Sequence, residues 1–277
     1  MQTKVCKLGE LSFDKDVFQC YSTNSPLDPL LSSIGGLPKG VNYLIVGDPG
    51  VGKTTLVLDL LSNLKKDKPS LRTLFISAEM TDVELFFLKE RFPKFSNLDV
   101  LFVNSEMKCA SVLREILNEG WDIVAIDSFA ELLEIIKDNE EISSKKAESL
   151  LLQLIKKHNS QNNQASVSTS FLIIQQVTKL GNFLGSNRLK HAITAMMELR
   201  LEDSKNPSSS RYVVFTKHRR GQTGIHLFYD ITEGESVYFD IERFNYDQRI
   251  TDIRKEIERK ISTQRNRFSL NLRRDLL

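Results

Sequence analysis

The sequence predicts an α/β protein: a mostly parallel, twisted β-sheet flanked by helices, with an antiparallel edge and a C-terminal helical tail. Apolar, β-rich runs alternate with segments of helical spacing from about residue 41 onward. This alternation favours a parallel sheet that is covered on both faces. The last strands follow one another through short links, which indicates antiparallel hairpins at one edge. From Tyr246 the sequence becomes charged and helical.

The strands are predicted from apolar runs that are bounded by turn residues. They cover residues 42–46, 72–77, 99–103, 122–127, 170–175, 194–201, 211–216 and 224–231. The helices are predicted from apolar side chains that recur with the helical period. They cover residues 53–65, 81–91, 109–119 and 145–158. The polar stretches 158–170 and 203–210 are predicted to be loops.

The chain is predicted to divide into an N-terminal segment at 1–22, a core domain at 23–245 and a basic helical tail at 246–277. In the tail, four isoleucines share one helical stripe, with basic side chains on the other side. Two interpretations stay open. Either the stripe packs on the core domain and the charged face is solvated, or the tail docks to another subunit or to nucleic acid.

Composition limits the class of protein. The 277 residues are 40% hydrophobic and carry a formal charge of only +2. The length suits one large α/β domain or two small ones, and the charge does not require a nucleic-acid partner. Three cysteines without metal-ligand spacing indicate a reducing compartment and no disulfide framework. We therefore expect a soluble intracellular protein without a membrane span.

The segment at residues 47–54 fits the phosphate-binding P-loop pattern, Gly-x-x-x-x-Gly-Lys-[Ser/Thr]. Its residues, with the threonine that follows, are Gly47, Asp48, Pro49, Gly50, Val51, Gly52, Lys53, Thr54 and Thr55. A predicted strand precedes the motif and a predicted helix follows it, so backbone N–H groups and the helix start can hold phosphates. Lys53 would reach the β- and γ-phosphates of ATP, and the Thr54 hydroxyl would bind Mg²⁺.

Hydrolysis needs a second Mg²⁺-organising carboxylate and a group that orients water. Asp127 ends the apolar strand 122–127 in a Walker B arrangement and is the predicted metal-organising carboxylate. Glu79 follows the strand 72–77, and because parallel strands end at one edge of a sheet, it would face the γ-phosphate. There it would polarise the attacking water. The alternative is that Glu79 only begins the next helix.

Two further groups follow later strands. Gln176 closes the strand 170–175 and would sense the γ-phosphate, whereas Gln175 points to the other side of the pleat. Lys217 and Arg219 follow the strand 211–216 on one side of the chain, and can complete the active site of a neighbouring subunit as an arginine finger does. A basic hairpin turn is the other interpretation of this pair.

These segments, in this order, resemble the RecA superfamily of ring- and filament-forming ATPases, and most closely the RadA/Sms repair ATPases. Residues 23–40, 176–191 and 217–221 carry the resemblance. Gln176 stands where RadA/Sms proteins have His. Some features instead resemble DnaB-type replicative helicases, namely Ser77-Ala78-Glu79-Met80, Gln176 and the run 217–224.

The resemblance implies a RecA-like P-loop ATPase core with ATP and Mg²⁺ as cofactors. Glu79 would be the catalytic carboxylate and Gln176 the sensor, and Lys217 and Arg219 would act across a subunit interface. It also implies a homo-oligomer, either a hexameric ring or a filament, with ATP between subunits, in the cytoplasm of a bacterial or phage-infected bacterial cell.

The resemblance places the segment 179–190 against single-stranded DNA in the central channel. Its cations can meet phosphates, its amides can donate hydrogen bonds and its phenylalanine can stack on a base. The candidate DNA-binding residues are Lys179, Asn182, Phe183, Asn187, Arg188 and Lys190. The other interpretation of this segment is a simple flexible connection.

The expected function is Mg²⁺-dependent ATP hydrolysis coupled to binding, translocation on or remodelling of single-stranded DNA in recombination, repair or replication. The alternative is a KaiC-like signalling or scaffold ATPase that acts on a protein partner without nucleic acid.

Overall fold

The computed structural model describes residues 7–10, 18–159, 168–176, 187–234, 236–253 and 256. The chain divides into two compact units, Met1–Phe239 and Asp240–Leu277. In the second unit, residues 241–253 are helical. The division at 22/23 and 245/246 stays a prediction.

The first unit contains two sheets in its described part. Their strands are β1 (Cys20–Tyr21), β2 (Leu37–Pro38), β3 (Asn42–Gly47), β4 (Thr73–Ser77), β5 (Asp99–Phe102), β6 (Ile123–Asp127), β7 (Ser170–Gln176), β8 (Ala195–Leu201), β9 (Arg211–His218), β10 (His226–Thr232) and β11 (Ser236–Phe239). The first two strands pair with each other, and the other nine form one sheet in the order β11-β10-β9-β8-β3-β7-β6-β4-β5.

The large sheet combines a parallel part with an antiparallel edge. All strand pairs from β8 to β5 are parallel, and β9, β10 and β11 continue the sheet with antiparallel pairs. All six residues of β3 are buried, as expected for a central strand covered on both faces. The predicted fold class, including the antiparallel edge, is confirmed.

Seven α-helices occur in the described part of the first unit. They are α1 (Asp28–Leu31), α2 (Lys53–Asp67), α3 (Asp82–Arg91), α4 (Cys109–Asn118), α5 (Phe129–Asn139), α6 (Ser144–Asn159) and α7 (Asn187–Ala192). One apolar core joins α4, α5 and α6 to the sheet. On the other face α2 contacts β11 and the 3-10 helix Pro93–Asn97. None of the described helices is long and apolar enough to cross a bilayer.

Three helices of the first unit, α1, α5 and α7, were absent from the sequence prediction, and α1 has only four residues. Helix α5 begins after Ser128, whose hydroxyl accepts the N–H of Glu131, and a Ser followed by an acidic residue three positions later is a helix-start signal. Helix α7 has only six residues, too few for its period to be recognised in the sequence. Its position corrects the prediction of a loop through 179–190, because that segment is helical from Asn187.

Candidate nucleotide-hydrolysis site

The P-loop begins where the central strand ends. Gly47 lies between Gln176 of β7 and Leu199 of β8, so the loop leaves the middle of the sheet at the carboxyl ends of its parallel strands. A Cβ atom on Gly47 would lie 2.5 Å from the carbonyl oxygen of Leu199. Only glycine allows the two backbones to approach this closely.

Strand β10 supports the loop from the antiparallel edge. The hydroxyl of Tyr229 donates a 2.8 Å hydrogen bond to the carbonyl of Val51. Gly52 has a φ of +96°, and a Cβ there would lie 2.3 Å from Cδ1 of Ile231. The conformation and the close packing both require glycine at position 52, so strands far apart in the sequence fix the loop's shape.

Lys53 lies inside the turn of the P-loop. Its Nζ donates to the carbonyls of Gly47 at 2.8 Å and Asp48 at 3.0 Å, and the residue is 9% exposed. Burial lowers the pKa of the Lys53 ammonium, and the nearby carboxylates, Asp127 first among them, oppose that change. The loop thus holds one cation at the place where the motif requires it.

Thr54 and Asp127 meet across the cleft. The Thr54 hydroxyl donates a 2.6 Å hydrogen bond to Oδ2 of Asp127, which is 2% exposed. Burial raises the pKa of the Asp127 carboxyl to about 6; the Thr54 hydrogen bond lowers it and the charge of Glu79 raises it further. A hydroxyl beside a carboxylate is an oxygen donor set that suits Mg²⁺, which needs few protein ligands.

Among the described residues, no group of three or more His, Cys, Asp or Glu side chains is arranged to hold a metal ion. The Thr54 hydroxyl and the Asp127 carboxylate are oxygen ligands of the kind that the predicted cation prefers. The structure brings together the two residues that the sequence assigned to this role.

Glu79 is held at the cleft by its own backbone. The N–H groups of Ala78 and Glu79 both donate to the carbonyl of Asp127, at 2.7 and 3.2 Å. Helix α3 has a different N-cap, Thr81, which forms a capping box with Glu84. The residue that caps helix α3 is therefore Thr81 and not Glu79, and the catalytic role of Glu79 stays a prediction.

The predicted catalytic carboxylate and the predicted sensor are hydrogen-bonded to each other. Nε2 of Gln176 donates to Oε1 of Glu79 at 2.9 Å. Gln175, the neighbour that the pleat directs elsewhere, is 1% exposed. The choice of Gln176 over Gln175 agrees with this geometry.

These groups line one cleft of about 400 Å³. Its lining residues include Pro49, Gly50, Gly52, Lys53, Thr54, Thr55, Glu79, Asp127 and Gln176, which the sequence identified, and Met80, Leu88, Arg91, Arg211 and Ile231, which it did not. Arg211 begins β9, and since β9 runs antiparallel, its first residue lies at the P-loop edge. The predicted direction of that strand was the signal that could have found Arg211.

Lys217 and Arg219 lie far from the P-loop of their own chain. In the register of the sheet, Lys217 is beside Met196 of β8, which is beside Leu44 near the start of β3. The P-loop leaves β3 at its other end, after Gly47. The two cations therefore lie toward the amino-terminal ends of the parallel strands, whereas the P-loop lies at their carboxyl ends.

Both cations contact the end of α7. Nζ of Lys217 donates to the carbonyl of Lys190, and Nη2 of Arg219 donates to that of His191 at 3.2 Å. His218, between them, instead contacts the carbonyls of Leu30 and Leu31. The side chains thus alternate as the strand pattern predicted.

The predicted DNA-contacting residues divide into two groups. Lys179, Asn182 and Phe183 lie outside the described residues. Asn187, Arg188 and Lys190 belong to α7, where Nη1 of Arg188 donates to Oγ of Ser149 at 2.8 Å.

Known proteins resemble this chain in sequence and in fold. The DNA repair protein RadA of Campylobacter jejuni is 29% identical over 181 residues, which are 65% of this chain and 38% of that protein. RadA of Aquifex aeolicus is 24% identical over 199 residues, 72% of this chain and 42% of its own length. The chain therefore spans about two fifths of the length of these relatives.

Two solved structures share the fold at low sequence identity. The flagellar accessory protein FlaH of Methanocaldococcus jannaschii superposes with a TM-score of 0.61 at 13% identity, over 80% of this chain and 99% of FlaH. The KaiC-like protein PH0186 of Pyrococcus horikoshii gives 0.61 at 16% identity, with the same coverage.

The fold and the cleft together define a P-loop ATPase of the RecA superfamily. The sequence profile of the ATPase family associated with various cellular activities (AAA) matches residues 43–197. The chain belongs to that family, and within the superfamily it resembles RadA.

Proposed function

We propose that this chain hydrolyses ATP with Mg²⁺ and binds single-stranded DNA. We propose that hydrolysis is coupled to this binding and drives movement along the DNA, or its remodelling, in recombination, repair or replication. The observation that carries the proposal is the 2.9 Å hydrogen bond between Gln176 and Glu79. It joins the predicted catalytic carboxylate to the last residue of β7, which leads directly into the predicted DNA-binding segment.

The chain's own groups divide the work of hydrolysis. Loop amides and Lys53 bind the phosphates, and Thr54 with Asp127 would hold Mg²⁺, which neutralises charge on the phosphate oxygens when bound. Glu79 orients a water and accepts its proton. The Gln176 amide donates a hydrogen bond to one oxygen of this carboxylate. Movement of Gln176 would therefore change how the Glu79 carboxylate is held in the cleft.

The DNA part of the proposal rests on the similarity to RadA proteins and on the residues next to Gln176. Lys179, Arg188 and Lys190 would contact phosphates, Asn182 and Asn187 would donate hydrogen bonds, and Phe183 would stack on a base. Such binding weakens as salt rises, because phosphate contacts release counterions.

The oligomeric part of the proposal rests on the sheet register. Lys217 and Arg219 stand at the edge opposite their own P-loop, so they can serve a cleft only in a neighbouring copy. We therefore include a homo-oligomer, a ring or a filament, with ATP between copies. Location in the bacterial cytoplasm is also part of the proposal, as in a bacterial or phage-infected cell.

A second candidate is a KaiC-like signalling or scaffold ATPase that acts on a protein partner. The near-neutral charge of +2 favours it, because a nucleic-acid motor gains from a strongly basic surface. The two candidates share the ATP cleft and differ in whether the chain binds nucleic acid.

Binding of a labelled single-stranded oligonucleotide, with and without a non-hydrolysable ATP analogue and over a range of salt, separates them. We expect nucleotide-dependent binding that weakens with salt. Lys53→Ala should abolish hydrolysis and nucleotide-dependent binding, while Lys66→Ala, an exposed lysine on the same helix, should change neither. Hydrolysis without any DNA binding would favour the second candidate, and hydrolysis that survives Lys53→Ala would contradict both.

A further inference from the structure

A buried carboxylate lies on the helix that follows the P-loop. Asp59 belongs to α2, fewer than two turns beyond Lys53, and is 2% exposed. It does not line the nucleotide cleft, so phosphate and Mg²⁺ binding do not account for it. A buried carboxylate costs free energy unless it is paired and hydrogen-bonded. The groups that satisfy Asp59 therefore indicate what the residue does.

Both carboxylate oxygens of Asp59 have partners, and these partners come from three elements. Oδ1 accepts hydrogen bonds from the hydroxyl of Ser236 and, at 3.4 Å, from the N–H of Val237, both on β11. The same oxygen pairs with Nζ of Lys94, on the 3-10 helix that follows α3. Oδ2 accepts a 2.9 Å hydrogen bond from Nδ2 of Asn63, one turn further along α2. We call Asp59, Lys94 and Ser236 the Asp59 cluster.

Ser236 has a backbone conformation that favours glycine. The residue is 0% exposed and has a φ of +73°. A residue other than glycine in this region is strained, and such strain persists where the surrounding structure imposes it. Glycine would relieve the strain but has no hydroxyl to offer Asp59. The hydrogen bond to Asp59 is therefore what serine adds at this position.

Through Ser236, the cluster fixes the position of the last hairpin. Strand β11 has four residues, lies at the edge of the sheet and pairs with β10. In that pairing Ser236 lies opposite Thr232, the neighbour of Ile231. Ile231 packs against Gly52, and Tyr229 of the same strand donates to a P-loop carbonyl. A shift of the hairpin relative to α2 would therefore change both contacts with the loop that holds phosphate.

Lys94 connects the same cluster to α3, which also contributes to the cleft. The 3-10 helix that carries Lys94 follows α3, whose last residue, Arg91, lines the cleft. The turn of the hairpin contacts Arg91 as well, because the N–H of Gly234 donates to the Arg91 carbonyl at 3.2 Å. Helix α2, the last hairpin and the end of α3 are therefore joined around one buried negative charge.

We propose that Asp59 is a positioning residue for ATP binding: it fixes the last hairpin against α2, and the hairpin in turn holds the P-loop in its phosphate-binding shape. This role rests on the proposed function and adds to it a group that acts from outside the cleft. The loop binds the phosphates in the ground state as well as during hydrolysis. Loss of the cluster should therefore raise the KM for ATP and change kcat little.

Ser236→Gly tests this role without removing the buried charge. The substitution relieves the backbone strain and deletes the hydroxyl that bonds to Asp59. We expect the KM for ATP and the dissociation constant of a fluorescent ATP analogue to rise about tenfold, within the range for a lost hydrogen bond to a charged group. The kcat should stay within about threefold of wild type. A serine that served only stability would change the melting temperature and leave ATP affinity unaffected.

Two further variants identify how the effect reaches the loop. Asp59→Asn removes the charge itself and should raise the KM further, because Lys94 then loses its partner as well. Ser236→Gly combined with Tyr229→Phe should weaken ATP binding by less than the product of the two single effects, because both changes act through the same hairpin. Effects that simply multiply would overturn the proposed action through the hairpin.

The matched control is Ser170→Gly. Ser170 is also 0% exposed, and its hydroxyl donates to the carbonyl of Pro38 at 2.8 Å, but it begins β7 at the end of the sheet away from the P-loop. This change should lower thermal stability and leave the KM for ATP unchanged. An equal rise in KM in the control would overturn the proposal, as would unchanged ATP affinity in folded Ser236→Gly and Asp59→Asn chains.

The same measurements separate this role from the proposed function. A wild-type chain that binds ATP without hydrolysing it would refute the proposed hydrolysis alone, and the affinities of the variants would still decide the role of Asp59. An active ATPase whose affinity for ATP does not respond to Ser236→Gly or Asp59→Asn would refute the positioning role alone.

Discussion

The Asp127 carboxyl is a buried acid whose ionisation serves the site at a cost in stability. Its pKa rises to about 6 in the folded chain, chiefly because burial disfavours the charged form. In an unfolded chain the value is about 3.9. Because the folded value is the higher one, the unfolded state releases its proton first, so stability falls as pH rises between these two values.

Asp127→Asn should therefore raise stability while it removes activity. The asparagine amide keeps an oxygen that can accept the hydrogen bond from the Thr54 hydroxyl. It carries no charge, so its burial does not cost the desolvation of a carboxylate. At pH 8 we expect a gain of about 1–3 kcal/mol in the free energy of unfolding, which disappears near pH 4. Denaturant unfolding at both pH values measures this. An equal effect at the two pH values would show that ionisation of Asp127 is not the cause.

The same carboxyl predicts how activity depends on pH. Below about pH 6 the Asp127 oxygen binds a proton and no longer offers a full negative charge to Mg²⁺. We expect the Mg²⁺ concentration needed for half-maximal ATPase rate to rise as pH falls from 7 to 5. Because Asp127→Asn should be inactive, its Mg²⁺ requirement is measured by nucleotide binding, and that requirement should not change with pH. A requirement for Mg²⁺ that does not change over this range would contradict the assignment.

A substitution at Glu79, the predicted general base, tests its role in hydrolysis separately from ATP binding. Glu79→Gln should lower the rate of hydrolysis by roughly 10²–10⁴-fold, the range for removal of a general base, with ATP affinity changed by no more than about threefold. Single-turnover hydrolysis and equilibrium binding separate the two quantities. Glu90→Gln, an exposed change on α3, is the control. A parallel loss of affinity in Glu79→Gln would assign the residue to binding.

At the residue scale, local motifs predicted the residues whose positions in the sequence are fixed by phosphate and Mg²⁺ binding. Lys53, Thr54 and Asp127 came from a glycine-rich loop and a strand that ends in an acid, and the structure brings them together. Arg211 and Ile231 line the same cleft from distant strands. No local motif marks them, because their role depends on which strands pair; for Arg211 the predicted antiparallel direction of β9 was the available signal.

At the element scale, strand β10 stabilises the P-loop from the side. Tyr229 is 2% exposed, and its hydroxyl donates to the carbonyl of Val51. Removal of one partner of a buried hydrogen bond leaves the other unpaired, which costs about 1–3 kcal/mol. In the loop that cost falls on the backbone that must hold phosphate.

Tyr229→Phe should therefore lower stability by about 1–3 kcal/mol and weaken ATP binding, although the residue touches no predicted catalytic group. Thermal unfolding and titration with a fluorescent ATP analogue measure the two effects. Tyr238→Phe removes a hydroxyl from a residue that is 60% exposed and should change neither quantity. Equal effects of the two substitutions would show that the hydrogen bond to the Val51 carbonyl does not stabilise the loop.

Elements were predicted well where the pattern is long and local. Each predicted strand and helix lies within two residues of an observed one, because apolar runs and helical periods are read within a short window. The elements missed besides α5 each have at most six residues, which gives such a window little to read; they include β1, α1, β2, the 3-10 helix Pro93–Asn97, α7 and β11. Helix α5 was missed because its start signal lies directly after the strand that ends in Asp127.

At the scale of the whole molecule, the direction of the strands separates the P-loop from Lys217 and Arg219, the predicted arginine-finger pair. The parallel strands end at the P-loop, whereas β9 returns antiparallel and carries Lys217 to the other edge. A single copy cannot bring both parts together by a small movement, because the whole sheet lies between them.

Complementation between two inactive variants should reveal this separation. Arg219→Ala and Lys53→Ala should each lack activity alone. In an equal mixture about one quarter of the interfaces would combine an intact P-loop with an intact arginine, so part of the wild-type ATPase rate should return. Two variants of the same site, Lys53→Ala and Thr54→Ala, should not complement. Failure at every mixing ratio would count against action between copies.

The contact between Ile231 and Gly52 has a further consequence for how such an enzyme can diverge. A residue in the last hairpin limits the room beside the phosphate-binding turn, so the size of the side chain at position 231 sets how closely Gly52 is packed. The packing of the turn can therefore change through this remote position while the glycine motif stays constant. Comparison of the motif alone would then miss the difference.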